Sequence, residues 1–248
     1  MAKREAGAEK LLNIGVYAAS EAARIVSFGA RRVVATPAGH PRVAGRDIRR
    51  WLGGYGHPVD GERREWPPLW TPEVPRIAGD LVLGFRDLLE LLFVVAFRRQ
   101  GLSVRTIRRL IDRAFQLVED PYPLSSPGFR TDGRRILADT LDAHDQRLIF
   151  DLESGQQLLD VVFDRLPFGI EYQELMRARW WPLGEDRRVL LDPTRRFGRP
   201  IVPEGVPTSA LARSVAVERS LAVVAEWYEV SENSVKDAVE YETRLRAA

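Results

Sequence analysis

The spacing of apolar positions changes twice along this chain, and the changes divide it. From Leu12 to Tyr55 apolar residues recur at helical spacing, interrupted by an irregular, arginine-rich insertion. YAASEAARIV (Tyr17 to Val26) has the form of a first helix, with Ser20 as its cap, Glu21 after it, then paired alanines and an aliphatic face. GRDIRRWLGGY (Gly45 to Tyr55) predicts a short helix with Arg46, Arg49 and Arg50 at i, i+3 and i+4 on one face. Ile48, Trp51 and Leu52 fall on the other, so this helix can dock on a core and still present cations. In YGHPVDGERREW (Tyr55 to Trp66) the Asp60-Gly61 pair favours the positive dihedrals of a tight hairpin turn, which predicts a small β-wing carrying Arg63 and Arg64. PPLWTPEVP (Pro67 to Pro75) follows as a stiff, extended connector.

Beyond the connector the pattern becomes more apolar. Phe85 to Arg99 reads as a buried helix ended by Gly101, and Ser103 caps a second one with Val104, Ile107, Leu110, Ile111 and Ala114 at helical spacing. Then the period shortens. RRILAD (Arg134 to Asp139) and RLIFDL (Arg147 to Leu152) read as strands, with Glu153-Ser154-Gly155 as the turn into QQLLD. RWWPL and RVLLDP continue an irregular β region to Pro193. Helical text resumes at Ser209, with one helix over Val217 to Tyr228, a cap at Ser231 and a last helix over Glu232 to Arg244. The expected fold class is mainly α with a small antiparallel β-sheet (α+β). Three domains are expected: a winged helix-turn-helix-like domain over 12–80, a central helix pair with a sheet over 81–188, and a trihelical, helix-turn-helix-like domain over 189–248.

Composition narrows the chemistry. A chain of 248 residues can bury a sizeable core. Its formal charge is only +2, so any nucleic-acid surface must come from local segregation of charge. Most of the cation is arginine, whose planar fork suits phosphate and guanine. Without cysteine there are no disulfides, thiolate metal sites or thiol nucleophiles. No apolar run reaches membrane-spanning length and MAKREAGAEK lacks a signal core, so a cytoplasmic protein without membrane contact is expected.

An enzyme would need convergent polar groups. His40, His57 and His144 lie far apart in loop-like text with no ligand at metal spacing. Asp139, Asp142 and Asp145 read as solvating a turn, and Gly53, Gly54 and Gly56 lack a phosphate-loop lysine pattern. No enzyme, metal or cofactor is expected.

The cations fit a double-stranded DNA partner better. Arg46 and Arg49 are expected to contact bases or phosphate and Arg50 phosphate, the geometry of a helix entering the major groove. Arg31 and Arg32, in the insertion, and Arg63 and Arg64, on the wing, would neutralise phosphates. Phe28 to Val34 is the rival recognition helix, with Arg31 and Arg32 facing the groove. Arg105, Arg108, Arg109 and Arg113 form a further basic stripe, suited equally to acidic neighbours, a partner or DNA. The last helix repeats the helix-turn-helix shape but carries Glu232, Asp237, Glu240 and Glu242, which repel phosphate; protein contact or dimerisation fits it better.

In their order, SEAARIV, RRWLGGY, PPLW, LLELLFVVAFRRQGLSVRTIRR, FRTDGRRIL, RWWPLG and LDPTRRFGRPIV resemble the larger VapB-type antitoxins. That family joins a MerR-like helix-turn-helix domain to a C-terminal antitoxin-associated helical domain. The resemblance implies autorepression of a type II toxin–antitoxin operon and neutralisation of a PIN-domain ribonuclease toxin, with an arginine entering the toxin's acidic site. The chain departs from the family pattern in its long link before Arg46 and in EGVPTSAL, where a Gly-Thr-Arg-Ile-like segment is usual. A homodimer is expected, because operators mirror a two-fold axis; Phe85 to Phe97 and the C-terminal helices are the candidate dimer surfaces. Two other classes stay open: a MerR-like ligand-responsive regulator, with Trp180 and Trp181 near a pocket, and an interaction module without DNA binding.

Overall fold

The SEAARIV text does form a helix, but one longer than its spacing suggests. In the computed structural model, which describes residues 14–33, 43–59, 62–140, 169–172, 178–184 and 188–247, this helix (α1, Ala19–Val33) runs on through Gly29. It begins before Ser20, so that serine lies inside the first turn and is not its cap. Gly29 costs a helix interior about 1 kcal/mol. Burial of Ile25, Val26, Phe28 and Ala30 on one continuous helix outweighs that cost. Phe28 to Val33 is therefore the end of the first helix and not a separate recognition helix. Arg31 and Arg32 sit in its last turn, not in an irregular insertion.

The chain divides into two units, Tyr17–Pro167 and Met1–Val16 with Phe168–Ala248. In the larger unit, β1 (Tyr17–Ala18) leads into α1. The short helix α2 (Gly45–Gly53) precedes a hairpin of β2 (Tyr55–Val59) and β3 (Glu62–Trp66), and β4 (Val82–Leu83) pairs antiparallel with β1. That pairing sets the start of α1 beside the start of α3 (Phe85–Arg99), against which α1 packs. Apart from Arg86, every residue of α3 from Phe85 to Phe97 is buried. A helix apolar on all sides is a core element; α3 is covered by its own unit and keeps no apolar face for a second copy.

Ser103 caps α4 (Val104–Val118), its hydroxyl accepting the Thr106 N–H at 3.0 Å. The next element overturns a sequence expectation. Arg134–Asp139 is not a strand but part of α5 (Pro127–Thr140), whose first turn is capped by Ser126 Oγ accepting from Phe129 N. Six residues are too few to separate the two periods. Over the longer window Phe129, Gly133, Ile136 and Leu137 fall on one buried helical stripe, and Phe129 meets Phe93 of α3 edge to face. The companion segments Arg147–Leu152 and QQLLD lie outside the described residues.

The smaller unit contains β5 (Ile170–Tyr172) paired antiparallel with β6 (Ala178–Trp180), and single bridges extend the pairing through Leu190, Leu191 and Ile201. RWWPL and RVLLDP thus do supply β structure. Three helices follow: α6 (Thr208–Glu218), α7 (Leu221–Tyr228) and α8 (Glu232–Arg246). Val217 to Tyr228 is not one helix. Arg219 turns left-handed at φ 56° and Ser220 caps α7, its hydroxyl accepting from Val223 N. The break lets Val224 and Ala225 pack with Leu211, Val235 and Ala238 in one core. Ser231 caps α8 as expected, through the Ser234 N–H at 3.0 Å. The protein is mainly helical with small two-stranded antiparallel sheets, an α+β class. Among the described residues no helix is long and apolar enough to cross a membrane.

Candidate nucleic-acid interface

The short helix α2 is built to hold one face still and offer the other. Ile48, Trp51 and Leu52 are buried, while Arg46, Arg49 and Arg50 are exposed, as the i, i+3, i+4 spacing requires. Its start lies hard against α1: a Cβ on Gly45 would come within 3.0 Å of the Ser20 backbone. Asp47, its one acid, turns back to accept the Ala44 N–H at 2.8 Å, where a negative charge complements the helix dipole. Asp47 is therefore spent at the helix start. Among the described residues Arg46 and Arg49 make no ion pair.

Arg50 behaves differently. Its guanidinium lies 4.1 Å from the ring centre of Tyr55, and Tyr55 stacks on Trp66 at 6.3 Å. Tyr55 and Trp66 are the facing pair at the base of the β2–β3 hairpin. Helix and hairpin are joined by Gly54 alone, at φ 70°, where a Cβ would stand 3.0 Å from the Trp66 carbonyl oxygen. The register continues from Tyr55↔Trp66 to Val59↔Glu62 and sets the Arg63 backbone opposite Pro58 and that of Arg64 opposite His57. The Asp60-Gly61 turn and the side chains of Arg63 and Arg64 lie outside the described residues. Arg31 is placed elsewhere: it is half-buried, and its charge lies close enough to Arg99 to lower that group's pKa, although burial of Arg99 is the larger cause. Arg32 has only its backbone described.

The connector holds α2 and the hairpin in place, and sequence reasoning missed how. The Leu69 N–H donates to the Trp51 carbonyl at the end of α2 at 2.8 Å. Trp70 Nε1 donates to Asp87 Oδ1 at 2.7 Å, and Asp87 Oδ2 accepts from Glu73 N and Gly84 N. Arg108 of α4 donates to the Pro67 and Pro68 carbonyls at 2.6 and 2.8 Å, so it clamps the connector rather than facing solvent. The signal was present as acids, Asp87 and Glu90, in otherwise apolar text.

Both acids are fully buried. Burial pushes Glu90 up to about 7, against the N–H groups of Leu124 and Ser125, which donate to its two oxygens at 2.8 Å. Glu73, lying over Gly84 and accepting from Arg86 N, is also pushed up to about 7, chiefly by burial and further by the Asp87 charge. Asp87 is raised by burial and held back by the Trp70 hydrogen bond. Arg86 closes the network, pairing with Asp120 Oδ1 at 2.6 Å over the ring of Tyr122.

In the smaller unit several charges on and against α8 serve the fold. Arg188 pairs with Asp237 at 2.7 Å and Glu240 at 3.3 Å, Arg244 pairs with Glu240, and Thr208 Oγ1 donates to Glu242. Trp180 and Trp181 are buried, the latter against Leu190 and Ile201, and serve as core.

No family model matches this chain, and no curated protein matches it. Among solved structures it is similar to the crystal structure of Rv2018 from Mycobacterium tuberculosis. The match has 22% sequence identity and a TM-score of 0.65, and covers 92% of this chain and 98% of that one. At that identity the likeness is one of fold.

Proposed function

We propose that this chain binds double-stranded DNA through α2 and the β2–β3 hairpin. It does so as the antitoxin of a type II toxin–antitoxin system, repressing its own operon and neutralising a PIN-domain ribonuclease. The DNA half of this reading rests on one observation. Arg46 and Arg49 stand exposed and, among the described residues, without an ion pair, on a helix whose opposite face is locked into the core. Free arginines on a fixed helix suit phosphate and guanine, because little conformational entropy is lost when they bind. Arg50, held over Tyr55, keeps its charge beside the hairpin and serves a phosphate better than a base edge. Arg63 and Arg64 supply further phosphate contacts from β3. The toxin half rests on the resemblance of the ordered segments to VapB-type antitoxins. A homodimer follows from the two-fold symmetry of operators, not from any apolar face of α3.

The test is a gel-shift titration of the full chain against duplex DNA from upstream of its gene, at several salt concentrations. Arg46→Ala/Arg49→Ala should bind about 100-fold more weakly, with a salt slope smaller by about 2. Unchanged binding would remove α2 as the recognition helix. A neighbouring gene for a small PIN-domain ribonuclease that co-purifies with this chain would support the antitoxin reading over a ligand-responsive regulator.

A further inference from the structure

The smaller unit carries a second group of arginines that make no ion pair among the described residues, in a segment the DNA reading does not use. Arg196 and Phe197 both adopt left-handed backbone, at φ 49° and 57°, and Gly198 follows at φ 76°. Two successive non-glycine residues in this region are strained, and such strain persists only where the surroundings impose it. Here they do. The Arg195 N–H donates to the Asp192 carbonyl, Gly198 N to Arg195 O and Arg199 N to Arg196 O, while the Phe197 carbonyl accepts from Val16 N at 3.1 Å. Asp192 Oδ1 fixes the preceding turn by accepting from both Thr194 N and Thr194 Oγ1.

This fixed loop presents Phe197 with 58% of its surface exposed, flanked by the exposed Arg196 and Arg199. Arg195 and Arg196 lie against the turn at Gly205: Arg195 Nη2 would meet a Cβ there, and Arg196 Nε donates to the Gly205 carbonyl. The adjacent acid forms no ion pair with them. Glu204 is bound instead to Ser231 N and to Ser234 Oγ, at 2.8 and 2.9 Å from its two oxygens. Asp192 is held by Thr194. Among the described residues, none of Arg195, Arg196 and Arg199 makes an ion pair.

The geometry points to Arg195–Arg199 as a docking surface for an acidic protein partner, with Phe197 entering an apolar recess and the three arginines meeting carboxylates around it. Arginine and aromatic residues dominate the central contacts of protein interfaces, and a rigid loop loses little entropy on binding. Three arginines within two residues of the exposed Phe197 outnumber the neighbouring acids Asp192 and Glu204, so the segment is complementary to a carboxylate-rimmed apolar pocket and repels a basic one. This assignment stands independently of whether α2 reads DNA.

The experiment pans a phage-displayed library of random peptides, about twelve residues long, against the immobilised full chain. It is repeated on Phe197→Gly and on Arg196→Gly. Glycine adopts these left-handed dihedrals without strain, so both variants keep the loop backbone, and thermal melting confirms that they fold. The wild type should enrich peptides that combine Asp or Glu with Leu or Phe. Synthetic copies of those peptides should bind each variant at least tenfold more weakly, and Arg46→Ala/Arg49→Ala as tightly as wild type. Absence of an acidic–apolar consensus, or equal binding to the glycine variants, overturns the proposal. So does single-stranded oligonucleotide binding that the glycine variants lose, which would give the loop to nucleic acid. A sedimentation dimer that they lose would give it to a second copy of the chain, with the same consequence.

Discussion

Two pairs of packed helices in this molecule, α1–α2 and α7–α8, use charge in opposite ways. On α2 the single acid is turned back onto its own helix start and the arginines face outward. On α8 three of the four acids are tied within the chain: Asp237 and Glu240 to Arg188, Glu242 to Thr208. Helix packing alone therefore does not separate them. What differs is whether a charge is already satisfied within the chain, since a paired charge has less to offer a partner.

The comparison breaks most visibly if α2 is given the character of α8. Arg46→Glu/Arg49→Glu should lower duplex affinity by more than about 1,000-fold, because two phosphate contacts become two repulsions. Its thermal midpoint should stay within a few degrees of wild type, since both arginines are exposed and neither makes an ion pair among the described residues. A large loss of stability in that variant would mean the arginines hold the fold and do not await a partner.

A smaller effect tests the mounting of α2 and the hairpin. Asp87→Ala strands Trp70 Nε1 and the N–H groups of Glu73 and Gly84. Unsatisfied buried donors cost about 1–3 kcal/mol each, partly relieved by water, so a loss of about 3 kcal/mol is expected in urea unfolding. Arg108→Ala, which frees only the Pro67 and Pro68 carbonyls, should cost about 1 kcal/mol.

Acidification should pull the two units in opposite directions. Glu90 sits at about 7 in the folded chain against 4.5 unfolded, so between those values the folded state holds a proton that the unfolded state has lost. Its contribution to stability is therefore greatest below pH 4.5, falls as pH rises to 7 and is level above, by up to about 3 kcal/mol. Glu90→Gln should flatten that part of the urea midpoint–pH curve. Glu204 in the smaller unit has the opposite sign: burial raises it, but the N–H and O–H donors of Glu204 itself, Ser234 and Ser231 together hold it low. Its contribution is present above its unfolded pKa and fades as pH falls below it. Finer still, Ser231→Ala removes the α8 cap and should cost about 1 kcal/mol, seen in the unfolding of the smaller unit.

Much of the candidate interface was legible because it depends on local periodicity. The face of α2, the cap at Ser103, the cap at Ser231 and the hairpin register around Asp60-Gly61 all follow from spacing within a few residues. The failures share a cause. Arg134–Asp139 was too short to show its period, Ser220 broke a helix that apolar spacing alone would have run through, and Phe28–Val33 was joined to α1 by packing that overrode Gly29. Each was decided by burial against residues distant in sequence, which no local window contains. The left-handed backbone of Arg196 and Phe197 belongs to the same class, since nothing in RRFG by itself demands it.

By itself, then, the sequence determined the elements whose signals are local and the placement of positive charge near the N-terminal end and negative charge on the last helix. Only the tertiary structure decided which charges are free. Arg108 and Arg188 look in the text like Arg46 and Arg49, equally charged and equally polar in setting. Folding brings partners to the first two and, among the described residues, no ion pair to the last two, because a hydrogen bond or ion pair depends on distance in space, and spacing along the chain does not fix it.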